Sequence, residues 1–356
     1  MRLVFVTQTL DPGHPALAQT LDLVEALAAQ VEEVRVLARD VDATMPANVS
    51  VELFDASTRT GRAAAFERGA LRATRRADAV LVHMVPQFAL LAAPVARARR
   101  IPLLLWYTHW HASRSLRIAT RIVDAALSVD ASSYPVPSPR LHAIGHAIDV
   151  GRFDAPPVAA HEGPLRLLAL GRTARWKGLA TLLDALELAS ADLRLEIRGP
   201  SLTPDEEAHR RELEARADGA RVSLSEAVSR AEVPALLGGV DAVVSPNEPR
   251  AGATLDKAVF EAAACRRPVV STNDAFAPLL GRLSVELLAP PRDAHALAAV
   301  LDTLAAAPLA DRIAAGEELR RRVVEQHSLE HWAQEVCRVV TEVRSARGTA
   351  GSRGPG

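Results

Sequence analysis

Short apolar runs recur along the chain, separated by longer stretches whose apolar positions lie three and four residues apart. The runs read as strands: Leu3–Thr7, Val34–Ala38, Ala79–His83, Leu103–Tyr107 and Ala126–Val129, then Leu165–Leu170, Leu193–Arg198, Val222–Leu224, Ala242–Ser245 and Pro268–Ser271. Pro15–Ala29 reads as a helix with Leu17, Leu21, Val24 and Leu27 on one stripe. Further helices are predicted from Lys177 onward and over Glu206–Arg216, Thr254–Ala264, Ala294–Ala306, Leu309–Glu325 and Leu329–Arg344. A strand covered on both faces is apolar throughout, whereas the helix that covers it needs only a stripe. The alternation therefore predicts an α/β protein with parallel sheets under helices on both sides.

The pattern lapses once, over the Pro-, Gly- and Ala-rich GRFDAPPVAAHEGP of Gly151–Pro164, the best candidate linker. With 356 residues the chain has room for two domains. Residues 1–155 are expected to form the first and residues 156–326 the second. The tail from residue 346, which includes GTAGSRGPG, reads as disordered.

A net charge of −1 gives no overall field toward nucleic acid. Cys265 and Cys337 lie far apart and make no metal-type spacing, as expected of a reducing compartment. No run of 18 apolar residues appears, and MRLVFVTQTL is interrupted too soon for a signal peptide. A soluble, cytoplasmic protein is expected. No G-x-G-x-x-G follows a strand, which argues against a nicotinamide dehydrogenase.

Open parallel sheets bind ligands beyond the carboxyl ends of their strands, so the chemistry should sit in strand-to-helix turns. In LLALGRTARWKG a strand ends, Gly171 permits a tight turn, and Arg172 and Lys177 flank a helix start. Two cations beside free helix N–H groups make a diphosphate site; otherwise they are a solvated loop charge and an ordinary first-turn residue. In ATLDKAVFEAAACRRPVVSTND, Glu261 sits within an apolar helix and needs a partner or a ligand hydroxyl. Lys257 precedes it by four residues, either as part of a ligand site or as a simple helical ion pair. In LLLWYTHWHASR, His109 lies just past a strand's carboxyl end, with His111 as the alternative.

Arg172 and Lys177 in GR-x4-KG, followed by FEAAACRRPVVSTN, resemble the family-4 group of retaining GT-B glycosyltransferases. IGHAIDVGRF and VDAALSVDASS are similar to further segments of that group, and the helix around Trp332 to its closing helix. The resemblance implies two Rossmann-like, doubly wound domains facing a central cleft. The first would be the acceptor side, the second would hold the nucleotide sugar, and a helix over 327–345 would return to the first. It implies an enzyme, a retaining hexosyltransferase-type glycosyltransferase, with a nucleotide-diphosphate sugar as co-substrate and neither cofactor nor metal. Arg172 and Lys177 would hold the diphosphate, Glu261 the nucleotide ribose, and His109 the sugar or its phosphate. The family's first glutamate, eight positions before Glu261, falls here on Ala253. Glu248 stands five residues too early, so the amides around Gly252, Ala253 and Thr254 are expected to hold the donor with Gly171 and Lys257, Thr254 serving as N-cap.

The acceptor is left open among a glycan, a lipid-linked group and a small molecule; nucleic acid is not expected. Six arginines over Arg59–Arg76 and more over Ala96–Arg100 allow a peripheral contact with an anionic membrane at its inner face, or are solvated helix charges. The missing carboxylate keeps a catalytically silent nucleotide-sugar-binding subunit as an alternative, beside a GT-B sugar-nucleotide epimerase.

Overall fold

A computed structural model describes residues 1–14, 17–248 and 255–351 of the chain. It divides into two compact units, Met1–Ala147 with the residues from Gln326 onward, and Ile148–Glu325.

Unit 1 contains, in chain order, β1 (Arg2–Val6), β2 (Thr9–Leu10), α1 (Thr20–Gln30), β3 (Glu33–Ala38), β4 (Asp40–Val41) and β5 (Val49–Leu53). There follow α2 (Arg59–Ala73), β6 (Ala79–His83), α3 (Pro86–Arg99), β7 (Leu103–Trp106), α4 (Arg114–Ile122), β8 (Ala125–Ser128) and β9 (Leu141–Ala143). Its main sheet is parallel in the order β5-β3-β1-β6-β7-β8-β9. The connection through α1 runs toward β5, while those through α2, α3 and α4 run the other way. Right-handed crossovers therefore put α1 on one face and α2, α3 and α4 together on the other. Packing agrees, since α2 lies against α3 and α3 against α4.

Unit 2 contains β10 (Leu165–Leu170), α5 (Leu179–Leu188), β11 (Leu193–Arg198), α6 (Pro204–Glu214), β12 (Val222–Ser225), α7 (Val233–Gly238) and β13 (Ala242–Ser245). It continues with α8 (Lys257–Ala264), β14 (Val269–Ser271), α9 (Ala277–Leu280), α10 (Ala294–Ala306) and α11 (Leu309–His327), the last passing into unit 1. Its parallel sheet runs β12-β11-β10-β13-β14. Leu167, Leu168, Leu195, Val243, Val244 and Val269 are almost fully buried, as a sheet under helices on both faces requires.

The long final helix α12 (Leu329–Gly351) belongs to unit 1 and packs against α1. Trp332 is fully buried, its ring edge-on to Trp106 at 5.7 Å between centroids. Arg344 pairs with Asp78 at 2.7 Å and Arg347 with Asp124, which ties the helix to the sheet of unit 1.

The Gly151–Pro164 stretch is irregular but is not loose. Phe153 is fully buried, Arg320 donates to the Phe153 carbonyl at 3.0 Å, and the buried Arg267 donates to Pro156 at 2.6 Å and Leu237 at 2.8 Å. These contacts tie the expected linker into unit 2.

Candidate functional site

Strand order reverses in unit 2 between β10 and β13: the turn after β10 leads toward β11, that after β13 toward β14. Neighbouring strands whose connections diverge leave a crevice at their carboxyl ends, the usual ligand position in this kind of sheet. Glycines shape it. Gly171 has φ +141°, and a Cβ there would sit 3.3 Å from Lys177 Nζ. Gly178 has φ +67°, and its Cβ would stand 1.9 Å from the Pro246 carbonyl oxygen. The turn carrying Lys177 is thus pressed against the end of β13. A narrow crevice lies there, lined by Gly171, Arg172, Lys177, Ser245 and Asn247 among others, with a free volume of about 10 Å³, the space of roughly one water.

The two expected cations meet at this crevice, each held by a carboxylate. A 3-10 turn over Arg175–Lys177 precedes α5, which starts at Leu179 and not at Lys177. Lys177 is buried, lies over the Trp176 ring at 4.8 Å and pairs with Asp256. Asn247, also buried, donates to the same Asp256 oxygen at 3.2 Å. Burial pushes the Asp256 carboxyl up, but the Lys177 ammonium and the Asn247 amide outweigh it, and the net shift is downward. Arg172 is half-exposed and pairs with the buried Glu206, with Nε 3.3 Å from Oε2. Glu206 also accepts the Leu202 amide at 2.7 Å. Burial raises its carboxyl, and the Leu202 and Arg172 hydrogen bonds bring it below the ordinary range.

Asp256, Asn247 and Glu206 went unmarked as site residues in the sequence. Asp256 carried one usable signal, since a short acidic residue before an apolar helical run is a good N-cap. It does cap α8, accepting the Ala258 amide at 3.4 Å, so the helix starts at Lys257 rather than at Thr254. Gly252, Ala253 and Thr254 lie outside the described residues. Glu261 is buried on α8, with Lys257 Nζ at 3.4 Å. Glu248 pairs with Arg292 at 2.7 Å.

In unit 1, His109 follows β7 in an exposed turn. Its ring stacks on Trp110 at 5.3 Å, and its Nδ1 accepts the His111 amide at 3.2 Å. Partial burial, then the neighbouring His111, lower its pKa. The order of this sheet reverses between β1 and β6, and there His83 is buried, within 3.0 Å of the Thr7 hydroxyl. Burial pulls His83 down to about 4, so it is neutral at physiological pH. The sequence reading absorbed it into a strand. Its position as the last residue of that strand was the available signal.

Two parallel, doubly wound units in one chain make the GT-B fold, which solved glycosyltransferase structures similar to this one share. Residues 164–307 match the family model described as "Glycosyl transferases group 1", so β10 through α10 carry that family's sequence pattern. The structure is similar to sucrose-phosphate synthase from Thermosynechococcus elongatus, at 17% identity and a TM-score of 0.74 over 97% of this chain and 99% of that one. It is similar to Anabaena HepE in complex with UDP-glucose, at 17% identity and a TM-score of 0.71 over 96% and 100%. A glycosyltransferase from Rickettsia africae gives 14% and 0.75 over 96% and 98%. Curated protein sequences give no match.

Proposed function

We propose that the chain is a glycosyltransferase that moves a sugar from a nucleotide-diphosphate donor to an acceptor, with retention of configuration and without a metal ion. One observation carries the reading: Arg172 and Lys177 converge at the switch point of the unit that carries the family pattern. Charge develops on the departing diphosphate, so fixed cations aimed at it lower the barrier. Arg172 and Lys177 fill that role, Glu261 takes the ribose and His109 the sugar side. The complexes of HepE with UDP and UDP-glucose favour a nucleotide-sugar donor, and the resemblance of GR-x4-KG and FEAAA to retaining enzymes favours retention.

Titration with UDP, GDP, TDP and ADP tests this. One of them should bind, and Lys177→Ala and Arg172→Ala should each weaken it at least tenfold, the lower end of a charge-assisted contact of roughly 1.5–3 kcal/mol. Parental affinity in either variant means the diphosphate site has been misplaced. Nucleotide binding without nucleotide release from any donor would favour the silent subunit, for which Ala253 at the family's carboxylate position speaks.

For the acceptor side, the reading extends to a peripheral contact with an anionic lipid surface. Between residues 59 and 122 stand twelve arginines and only Glu67 and Asp78 as carboxylates, a balance of +10 in a chain of net charge −1. Topology gathers α2, α3 and α4 on one face of unit 1, where Arg68, Arg97, Arg99, Arg114, Arg117 and Arg121 are exposed. None of these six forms an ion pair among the described residues. Leu71 (47% exposed) and Ile118 (49%) stand among them, and apolar side chains between cations suit lipid better than nucleic acid. Sedimentation with phosphatidylglycerol vesicles, but not with phosphatidylcholine vesicles, is expected, and Arg114→Glu/Arg117→Glu/Arg121→Glu should abolish it.

A further inference from the structure

Lys177 carries the charge that the proposed reading assigns to a diphosphate, yet in this structure that charge is already taken. Asp256 reaches it from the cap of α8, Asn247 steadies the same carboxylate oxygen, and Lys177 is nine-tenths covered. The pair joins the turns after β10 and β13, across the crevice where a ligand would enter. Asp256 lies five residues before Glu261, whereas the family's carboxylate position is Ala253, so Asp256 does not inherit that residue's place.

We propose that Asp256 is an internal counter-ion that the donor's diphosphate must displace from Lys177, so that this carboxylate weakens nucleotide binding and holds the lysine in place while the site is empty. The proposal rests on the reading of this crevice as the diphosphate site. Three observations support exchange over a fixed structural pair. Asp256 is one-fifth exposed at its side chain, so its carboxylate is not sealed from solvent. Its cap contact to Ala258 is long, at 3.4 Å, and α8 loses little by its release. Two anions facing one ammonium repel each other, so Asp256 and a diphosphate compete for Lys177 in a site partly shielded from water. No covalent step is involved.

The experiment is calorimetric titration of the whole protein with whichever of UDP, GDP, TDP and ADP binds most tightly. Asp256→Asn keeps a capping side chain and removes the charge, and Asp256→Ala removes both. Each should tighten nucleotide binding at least fivefold while lowering the melting temperature. A residue that merely held the turn together would give the opposite sign, with looser binding alongside the lost stability. Unchanged or weaker binding in both Asp256 variants, with Lys177→Ala still costing tenfold, overturns the counter-ion proposal and leaves the site reading intact. If Lys177→Ala binds like the parent, the site reading itself has failed.

Discussion

Gly178→Ala perturbs the candidate site without touching a charge. The native residue has φ +67°, where an alanine costs roughly 1–2 kcal/mol. The added Cβ would stand 1.9 Å from the Pro246 carbonyl oxygen and 2.9 Å from its carbon, so the turn must retreat from β13 by more than 1 Å or so. Strain and lost packing together should come to about 3 kcal/mol. For a unit of this size that is roughly 6–12 °C in melting temperature. Lys177 is the preceding residue, so the retreat also carries its ammonium out of register, and nucleotide affinity should fall at least tenfold. Gly219→Ala is the control, because it has a similar φ of +74° with nothing within 4 Å of the added Cβ. It should lose only about 1–2 kcal/mol and bind nucleotide normally. Scanning calorimetry and nucleotide titration on both variants decide the matter. If Gly178→Ala melts and binds like Gly219→Ala, the close approach to Pro246 does not hold Lys177, and the account of the turn is wrong.

Glu206→Gln should destabilise unit 2 by about 1–3 kcal/mol, since a buried carboxylate serving both Arg172 and the Leu202 amide is replaced by a neutral group; urea melts measure it. His109→Ala should lower turnover far more than nucleotide affinity, with His111→Ala mild; the reverse order would move the sugar contact two residues along. Acid should unfold unit 1 early. Burial depresses His83 to about 4, and burial with the nearby His146 and His331 depresses His327 to about 3, while both titrate near 6.5 when unfolded. The unfolded chain therefore binds protons that the folded one refuses, so this stability is present above pH 6.5 and lost as pH falls toward 4. Each histidine contributes a slope of about 1.4 kcal/mol per pH unit in that window. His83→Asn should flatten the profile, and an unchanged slope would show that His83 is protonated in the fold.

Fully buried strands were the most legible part of the sequence. Ala79–His83 and Ala242–Ser245 match their apolar runs residue for residue, because a strand covered on both faces must be apolar along its length; Leu165–Leu170 and Leu193–Arg198 match as well, although each carries charge between its buried apolar positions. The partly exposed β5 and the short β9 escaped notice, since neither carries a continuous apolar run. Helix starts were less legible: a 3-10 turn intervenes before α5, and the cap of α8 is Asp256. Of the site, Arg172 and Lys177 could be placed because a strand-glycine-cation turn is local in sequence. Their carboxylate partners could not, because Glu206 and Asp256 reach them from 34 and 79 residues away. Such pairings are set by strand order, which residue spacing does not reveal.

The two units also differ in how the chain completes them. Unit 2 is one uninterrupted stretch, whereas unit 1 waits for α12, whose Trp332 closes on Trp106 and whose helix packs on α1. During synthesis the first 147 residues emerge early with that apolar surface still open, and unit 2 can fold while they wait. The first half to be made is thus the last to be finished. Loss of the final helix would strand unit 1 as an aggregation-prone intermediate while leaving the nucleotide half able to form.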